Sequence, residues 1–177
     1  LWKDPERYKQ AYFGRWSNIY YTGDYAVKDP DGYFWLLGRA DEVLKVAGHR
    51  IGTVELESEL VSYPAISEAA VMGKEDPIKG EVPVAFVVLR SGFSPSDELR
   101  ADIIKHIRNT IGPIATPEAI VIVNKLPKTR SGKIMRRLLK AVLSGASLGD
   151  VSTLEDEASI EEIKATYDEL RKQLIQK

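Results

Sequence analysis

The 177-residue sequence contains no cysteine. That absence rules out disulfides and thiolate metal sites, and it fits a reducing compartment. No apolar run approaches the ~20 residues of a membrane span, so no membrane partner is expected. Nor is there an excess of one charge: 25 Lys and Arg stand against 26 Asp and Glu, a net −1. Nothing global therefore draws the chain to nucleic acid. Internal repeats, low-complexity tracts and a signal peptide are also missing, and the expected location is cytoplasmic. The first residue is Leu1 rather than Met, as in a chain cut from a longer one. What is present is ordinary for a globular protein: 44% hydrophobic and 29% charged residues, on a chain long enough to bury a core. The length suits one domain, or one small domain with a fragment attached.

Leu1 to Trp16 is rich in aromatics and charge without a clear period, and Pro5 to Ala11 suits a peripheral helix. Tyr20–Val27 and Gly32–Leu37 are β-prone, and Asp29-Pro30-Asp31-Gly32 between them has turn chemistry, which predicts a hairpin. Two strands alone are not a stable unit, so they should belong to a larger body. Gly38 to Gly52 reads as a charged corner followed by a tight hairpin that turns at Ala47-Gly48. Thr53–Ser62 predicts a short helix stopped by Pro64. Ile66–Met72 and Val82–Leu89 predict strands, with a loop over Glu75–Glu81. Ser94-Pro95-Ser96-Asp97 predicts a helix start with a Ser cap and Pro in the first position. Leu99, Ile103, Ile107 and Ile111 continue that helix with Ile104 beside them, and Gly112-Pro113 ends it. Glu118–Val123 predicts a third strand, and Ile134–Leu143 a helix.

Residues 144–158 are small and acidic, which suggests a linker. Ser159-Ile160-Glu161-Glu162 has the pattern of a capping box. Ile160, Ile163, Tyr167, Leu170 and Leu174 then form a stripe suited to a helix packed back on its own protein. The predicted fold class is α/β: a small domain with a three-stranded sheet and flanking helices, preceded by a β-hairpin fragment. The expected divisions are 1–40, 41–145 and 146–177.

Three clusters carry candidate chemistry. Asp24, after Thr22-Gly23, has a carboxylate able to accept from two vicinal ribose hydroxyls, although a plain turn aspartate is at least as good a reading. Arg39 and Arg50 offer planar donor forks suited to phosphate. Asp41 lies between elements, where few contacts resist a backbone rotation. The plainer alternative for Arg39 and Asp41 is a surface ion pair of little energetic worth. The third cluster is Pro127–Lys133. Pro127 stands where a phosphate-binding P-loop needs its first glycine, so the loop is not one. Lys125, Lys128, Arg130, Lys133, Arg136, Arg137 and Lys140 form a run without an acid, for which a polyanion-binding helix face is the simple explanation.

Three blocks together resemble one family: Gly38-Arg39-Ala40-Asp41-Glu42 with Gly48-His49-Arg50-Ile51-Gly52, then Ile111–Pro117, then Leu126–Arg137. From about residue 20 to 155 the chain is similar to the C-terminal part of the AMP-forming acetyl-CoA synthetase family, within the acyl-adenylate-forming superfamily. The resemblance implies a two-step ligase using acetate, ATP and CoA, with Mg²⁺. Carboxylate attack on ATP gives an acyl-adenylate and pyrophosphate; the CoA thiol then displaces AMP. A small C-terminal domain swings between the two steps. Asp24 and Arg39 would then hold the ribose and phosphate, Asp41 would be the hinge, and Arg50 would approach the nucleotide. Ala47 and Gly48 would line the pantetheine passage, where a side chain at Gly48 would be an obstruction. Arg108 would meet a CoA phosphate. Lys133 would serve adenylation alone, bridging the α-phosphate and the attacking carboxylate.

The resemblance also implies control of Lys133 by a protein acetyltransferase and deacetylase, and it leaves room for an oligomer. A structural Mg²⁺ would involve positions Val61, Tyr63 and Ile66. Two residues depart from the family pattern: Ala47 replaces a frequent Ser, and Tyr63 a frequent His. The phosphate-binding loop and carboxylate pocket would lie upstream of Leu1, so the fragment alone is expected to be inactive. A related propionate ligase and an adenylation domain loading a carrier protein are the alternatives within the superfamily. A polyanion-binding module is the alternative outside it, against which Asp150, Glu155, Asp156 and Glu157 argue.

Overall fold

The computed structural model describes residues 2–175. Contacts divide the chain into two units, Leu1–Asp41 and Glu42–Lys177. In the first, helix α1 (Pro5–Phe13) starts at Asp4, whose carboxylate accepts from the Arg7 amide. Strands β1 (Asp24–Lys28) and β2 (Phe34–Arg39) form the expected antiparallel hairpin. Asp29 organises its turn. Its two carboxylate oxygens accept from the Tyr33 amide and the Trp35 indole at 2.9 and 3.0 Å, while Gly32 takes a φ of +95°. The hairpin is exposed on both faces.

The second unit has three layers around a mixed sheet. Strands β3 (Leu44–Val46) and β4 (His49–Ile51) form a short hairpin, followed by α2 (Thr53–Ser62). Next come β5 (Ile66–Asp76), β6 (Gly80–Leu89), α3 (Asp97–Thr110) and β7 (Ala119–Val123). Helices α4 (Arg136–Ser144) and α5 (Ala158–Ile175) complete the unit. β6 pairs antiparallel with β5 along nearly its whole length and parallel with β7. The three-stranded sheet expected from sequence is this group. It becomes five-stranded because Val46 of β3 pairs with Gly80 at the start of β6.

The near-continuous apolar runs of β5, β6 and β7 are explained by helices on both faces. Alternate residues point to opposite sides of a strand. Ala69, Val71, Ala85, Val87, Ile120 and Ile122 face one core with Leu56 and Leu60 of α2 and Ile103 and Ile107 of α3. Ala70, Met72, Val84, Phe86, Val121 and Val123 face the other, with Leu139 of α4 and Ile163 and Tyr167 of α5.

Four expectations change. The loop over 75–81 shrinks to Pro77-Ile78-Lys79, because the Asp76 carboxylate accepts from the Ile78 and Lys79 amides at 2.9 and 2.7 Å and closes the turn tightly. Ser96, not Ser94, caps α3, accepting from the Leu99 amide. Ser159 lies inside α5 and donates its hydroxyl to the Asp156 carbonyl. The capping box does not form, and Glu162 instead accepts from the Asn124 amide beyond β7. The stretch expected to be a linker is anchored: Leu154 is buried, and Leu148 and Val151 pack with it against Met135, Leu138 and Ile160. Ile160, Ile163, Tyr167 and Leu170 of the expected stripe face the cores. The side chain of Leu174 lies outside the described residues.

Candidate functional site

In the first unit, Asp24 and Arg39 are cross-strand partners at one end of the hairpin. Gly23, at φ +83°, brings the backbone beneath the Arg39 guanidinium: a β-carbon there would sit 3.5 Å from Nη2. Arg39 in turn donates from Nε and Nη2 to the two carboxylate oxygens of Asp41, at 2.9 and 3.1 Å. The ion pair anticipated as the plain alternative is therefore real. With both side chains more than half exposed, it contributes at most about 1 kcal/mol to stability. Asp24, Arg39 and Asp41 thus gather at one end of the hairpin, with the Arg39 guanidinium bonded to Asp41.

The β3–β4 hairpin turns through Ala47 (φ +49°) and Gly48 (φ +84°). Two consecutive positive φ values match the tight hairpin turn whose twist suits its strands. Leu44, Val46 and Ile51 are buried beneath it, and the Ala47 amide donates to the Lys79 carbonyl at 2.7 Å. Arg50 lies on β4 opposite Lys45 and is exposed. A β-carbon at Gly48 would meet nothing within 4 Å. Within this chain, glycine is needed there for its φ and not for space. Below the turn lies a groove of about 420 Å³ that includes Ala47, Lys79, Arg108, Pro113 and Ile114. Two residues from separate sequence blocks, Ala47 and Arg108, therefore meet in one groove with Lys79 beside them. Asp76 and Glu118 also line it.

Lys133 sits on a built loop. Ile134 bridges Lys128, the Thr129 amide donates to the Lys133 carbonyl, and the Gly132 amide donates to the Thr129 carbonyl. The Thr129 hydroxyl accepts from the Lys133 amide at 3.1 Å and meets the Ser131 hydroxyl at 3.0 Å. Gly132 takes φ +82° at the corner. On the outside, the segment after α4 closes on the loop: Leu154 bridges Thr129, the Arg130 amide donates to Thr153, and the Glu155 amide donates to Lys128. Lys133 itself is exposed, and its ammonium has no ion pair among the described residues.

Sequence reasoning missed this supporting role of Thr129 and of residues 153–155. A Thr four residues before the lysine and a Gly at the turn's corner were the available signal for Thr129. Nothing local marked 153–155.

The two surfaces lie at opposite ends of one strand. Val46, before the Ala47 turn, pairs with Gly80. At the far end Val88 pairs with Glu68, whose carboxylate holds Lys128 at 2.7 Å. At the usual rise per residue, Gly80 to Val88 spans about 26 Å.

Three of the seven cations in the basic run pair with carboxylates. Lys125 pairs with Asp156 and Lys128 with Glu68, while Arg137 donates to the Leu148 carbonyl at 2.5 Å. Arg136 donates to both oxygens of Glu57, at 2.6 and 2.7 Å, and meets Glu42 at 3.3 Å. Bonding to Glu57 raises the Arg136 pKa against the opposing effect of burial. Carboxylates therefore interrupt the run at Lys125, Lys128 and Arg136.

Of the three expected magnesium positions, Val61 lies in the last turn of α2, and Tyr63 and Ile66 follow it. Ile66 is fully buried, its amide donates to the Tyr63 carbonyl, and the Tyr63 ring packs against His106 at 5.3 Å. No group of three or more His, Cys, Asp or Glu side chains suited to a metal occurs among the described residues. No helix among them is long and apolar enough to cross a membrane.

Residues 55–133 match the AMP-binding enzyme C-terminal domain. The chain is 64% identical over 174 residues, 98% of its length, to an acetyl-coenzyme A synthetase of Pyrobaculum aerophilum. It is 55% identical over 175 residues to a 3-hydroxypropionyl-coenzyme A synthetase of Metallosphaera sedula. It spans 26% of the length of each. Among solved structures, the anthranilate CoA ligase AuaEII in complex with anthranoyl-AMP superposes with a TM-score of 0.69 at 38% identity, covering 83% of this chain and 27% of that one. Over nearly its whole length the chain is therefore similar to the C-terminal portion of acetyl-CoA synthetases, and residues 55–133 match the AMP-binding enzyme C-terminal domain.

Proposed function

We propose that this chain is the mobile C-terminal part of an ATP-dependent, AMP-forming ligase that converts acetate and CoA to acetyl-CoA through acetyl-adenylate. The observation that carries the reading is that the two candidate surfaces attach to β6 at different places, one at its Gly80 end and the other toward its Val88 end. Lys133 is presented at one end, and the Ala47–Gly48 turn with Arg108 at the other. One adenylate cannot meet both at once, so a rotation must exchange them. Asp41, the last residue of the first unit, is the proposed pivot. Asp24 and Arg39 hold the nucleotide, and Arg50 approaches it in the second step.

The chemistry fits the residues. During adenylation, negative charge gathers on the α-phosphate and the incoming carboxylate oxygen, and an ammonium free of internal ion pairs can bridge them. During thioester formation, a narrow pantetheine arm passes the exposed Gly48 backbone while Arg108 and Lys79 offer cations to CoA phosphates. Magnesium enters with ATP; the positions Val61, Tyr63 and Ile66 carry no step. Acetylation of Lys133 would remove the charge that adenylation needs, which gives an acetyltransferase and deacetylase a point of control in the cytoplasm. The 55% relative that acts on 3-hydroxypropionate supports a second reading in which the acyl group is that hydroxy acid.

The test uses the full-length protein. Lys133→Ala should lower acetate-dependent pyrophosphate exchange by about 100-fold or more and leave thioester formation from supplied acetyl-adenylate within about twofold. Equal loss of both half-reactions would remove Lys133 from its assigned step. Faster exchange with 3-hydroxypropionate than with acetate would select the second reading.

A further inference from the structure

The start of α4, three residues after Lys133, breaks the rules for a helix N-terminus. Its cap residue Met135 offers no side-chain bond, and Arg136 and Arg137 occupy the first turn without an acid. Cations there oppose the helix dipole. The compensation comes from far away in sequence. Glu57 of α2 receives both forks of Arg136 at 2.6 and 2.7 Å. The same Glu57 oxygen that takes Nη1 also accepts the Val71 amide of β5 at 2.7 Å. Glu42, one residue beyond Asp41, adds a third contact at 3.3 Å to Nε. All three side chains are largely covered, at 21%, 14% and 22% exposure. The connection from Arg136 back to Lys133 is short and fixed, because the Met135 amide donates to the Pro127 carbonyl at 2.7 Å and Ile134 bridges Lys128. A local violation so specifically offset is the mark of a constrained functional segment.

We propose that the Glu57–Arg136–Glu42 cluster is a clamp that fixes the exit of the Lys133 loop, making Arg136 and Glu57 positioning residues for adenylation. The clamp rests on the ligase reading for its catalytic consequence, but its mechanical part does not. Arg136 never reaches the reacting atoms. It sets the direction in which α4 begins, and so where the loop holds its ammonium. The planar fork is essential, since lysine cannot bond both carboxylate oxygens in one plane. The Ala47–Gly48 turn rests on Lys79 and the core beneath it instead, so the thioester half-reaction is insulated from the clamp.

The experiment compares Glu57→Gln and Arg136→Lys with the parent in the full-length protein. Amide-hydrogen exchange of residues 128–135 should rise about tenfold while that of Val82–Leu89 is unchanged. Pyrophosphate exchange should fall about tenfold through kcat with acetate KM unaltered, and thioester formation from supplied adenylate should stay within about twofold. Unchanged exchange at 128–135 overturns the clamp. So does a matched fall in both half-reactions, which is what a merely structural role would give. Lys133→Ala, run alongside, separates the two claims. If it spares adenylation the ligase assignment fails, while the exchange at 128–135 still decides the clamp. Should Glu57→Gln unfold at assay temperature, Glu42→Gln removes the outermost contact and must move the same readouts in the same direction by a smaller factor.

Discussion

The Ala47–Gly48 turn and the Lys133 loop stand at the two ends of β6 and are built on different principles. The turn is a local object. Its shape comes from two adjacent positive φ values, the three strand residues buried under it, and hydrogen bonds from the Ala47 amide to the Lys79 carbonyl and from the Lys45 amide to the Glu81 carboxylate. The loop is a composite. Its own turn through Thr129 and Gly132 is supplemented by Leu154, Thr153 and Glu155 on one side and by the Arg136 cluster on the other. The difference teaches where each can be damaged: the turn from its own backbone and from the Lys79–Glu81 segment beside it, the loop from several side chains spread over the sequence.

The largest expected effect that separates them is Leu154→Ala. Removing this buried side chain should cost about 2–3 kcal/mol of stability and speed amide exchange over residues 128–135 more than over 44–51. Equal acceleration in both segments would dissolve the distinction. Gly48→Ala should act next, costing about 1–2 kcal/mol for a side chain at positive φ, with no steric addition because the space is open. Denaturant titration measures it, and a cost near zero would mean that the turn relaxes easily.

The smallest effect is a pH dependence at the groove end. The amides of Lys79 and then Ile78 hold the Asp76 carboxyl below its ordinary value. A group with a lowered folded pKa stabilises the fold above its unfolded value of about 3.9, and that stability is lost as pH falls through the folded one. Asp76→Asn should therefore flatten the acid limb of the melting-temperature profile. An unaltered limb would assign the acid sensitivity elsewhere.

How much was legible in the sequence follows the same division. The hairpin turn at Ala47-Gly48 and helix Thr53–Ser62 were visible because their signals are local: turn residues, β-branched neighbours, a terminating proline. The cap of α3 slipped by one choice of serine, since Ser94 and Ser96 are equivalent by composition and only the backbone at Ser96 selects it. The apparent linker at 144–158 misled because its hydrophobic residues are sparse. Leu148, Val151 and Leu154 follow no helical or strand period, yet all three pack against Met135 and Leu138. Nothing local in the sequence marks Glu57, because its partner Arg136 lies 79 positions away.

The candidate site shows the same limit. The family resemblance marked Arg39, Ala47, Gly48, Arg108 and Lys133, but no spacing rule could place Ala47 with Arg108 in one groove. The placement of the groove and the Lys133 loop at opposite ends of β6 follows from strand register, which is a tertiary fact.

The central claim is that the two ends of β6 serve different half-reactions. It is tested most directly by measuring pyrophosphate exchange and thioester formation side by side in Lys133→Ala and Gly48→Ala full-length proteins. The account predicts crossed losses: Lys133→Ala depresses only the exchange, and Gly48→Ala only the transfer to CoA. Parallel losses in either variant would contradict it.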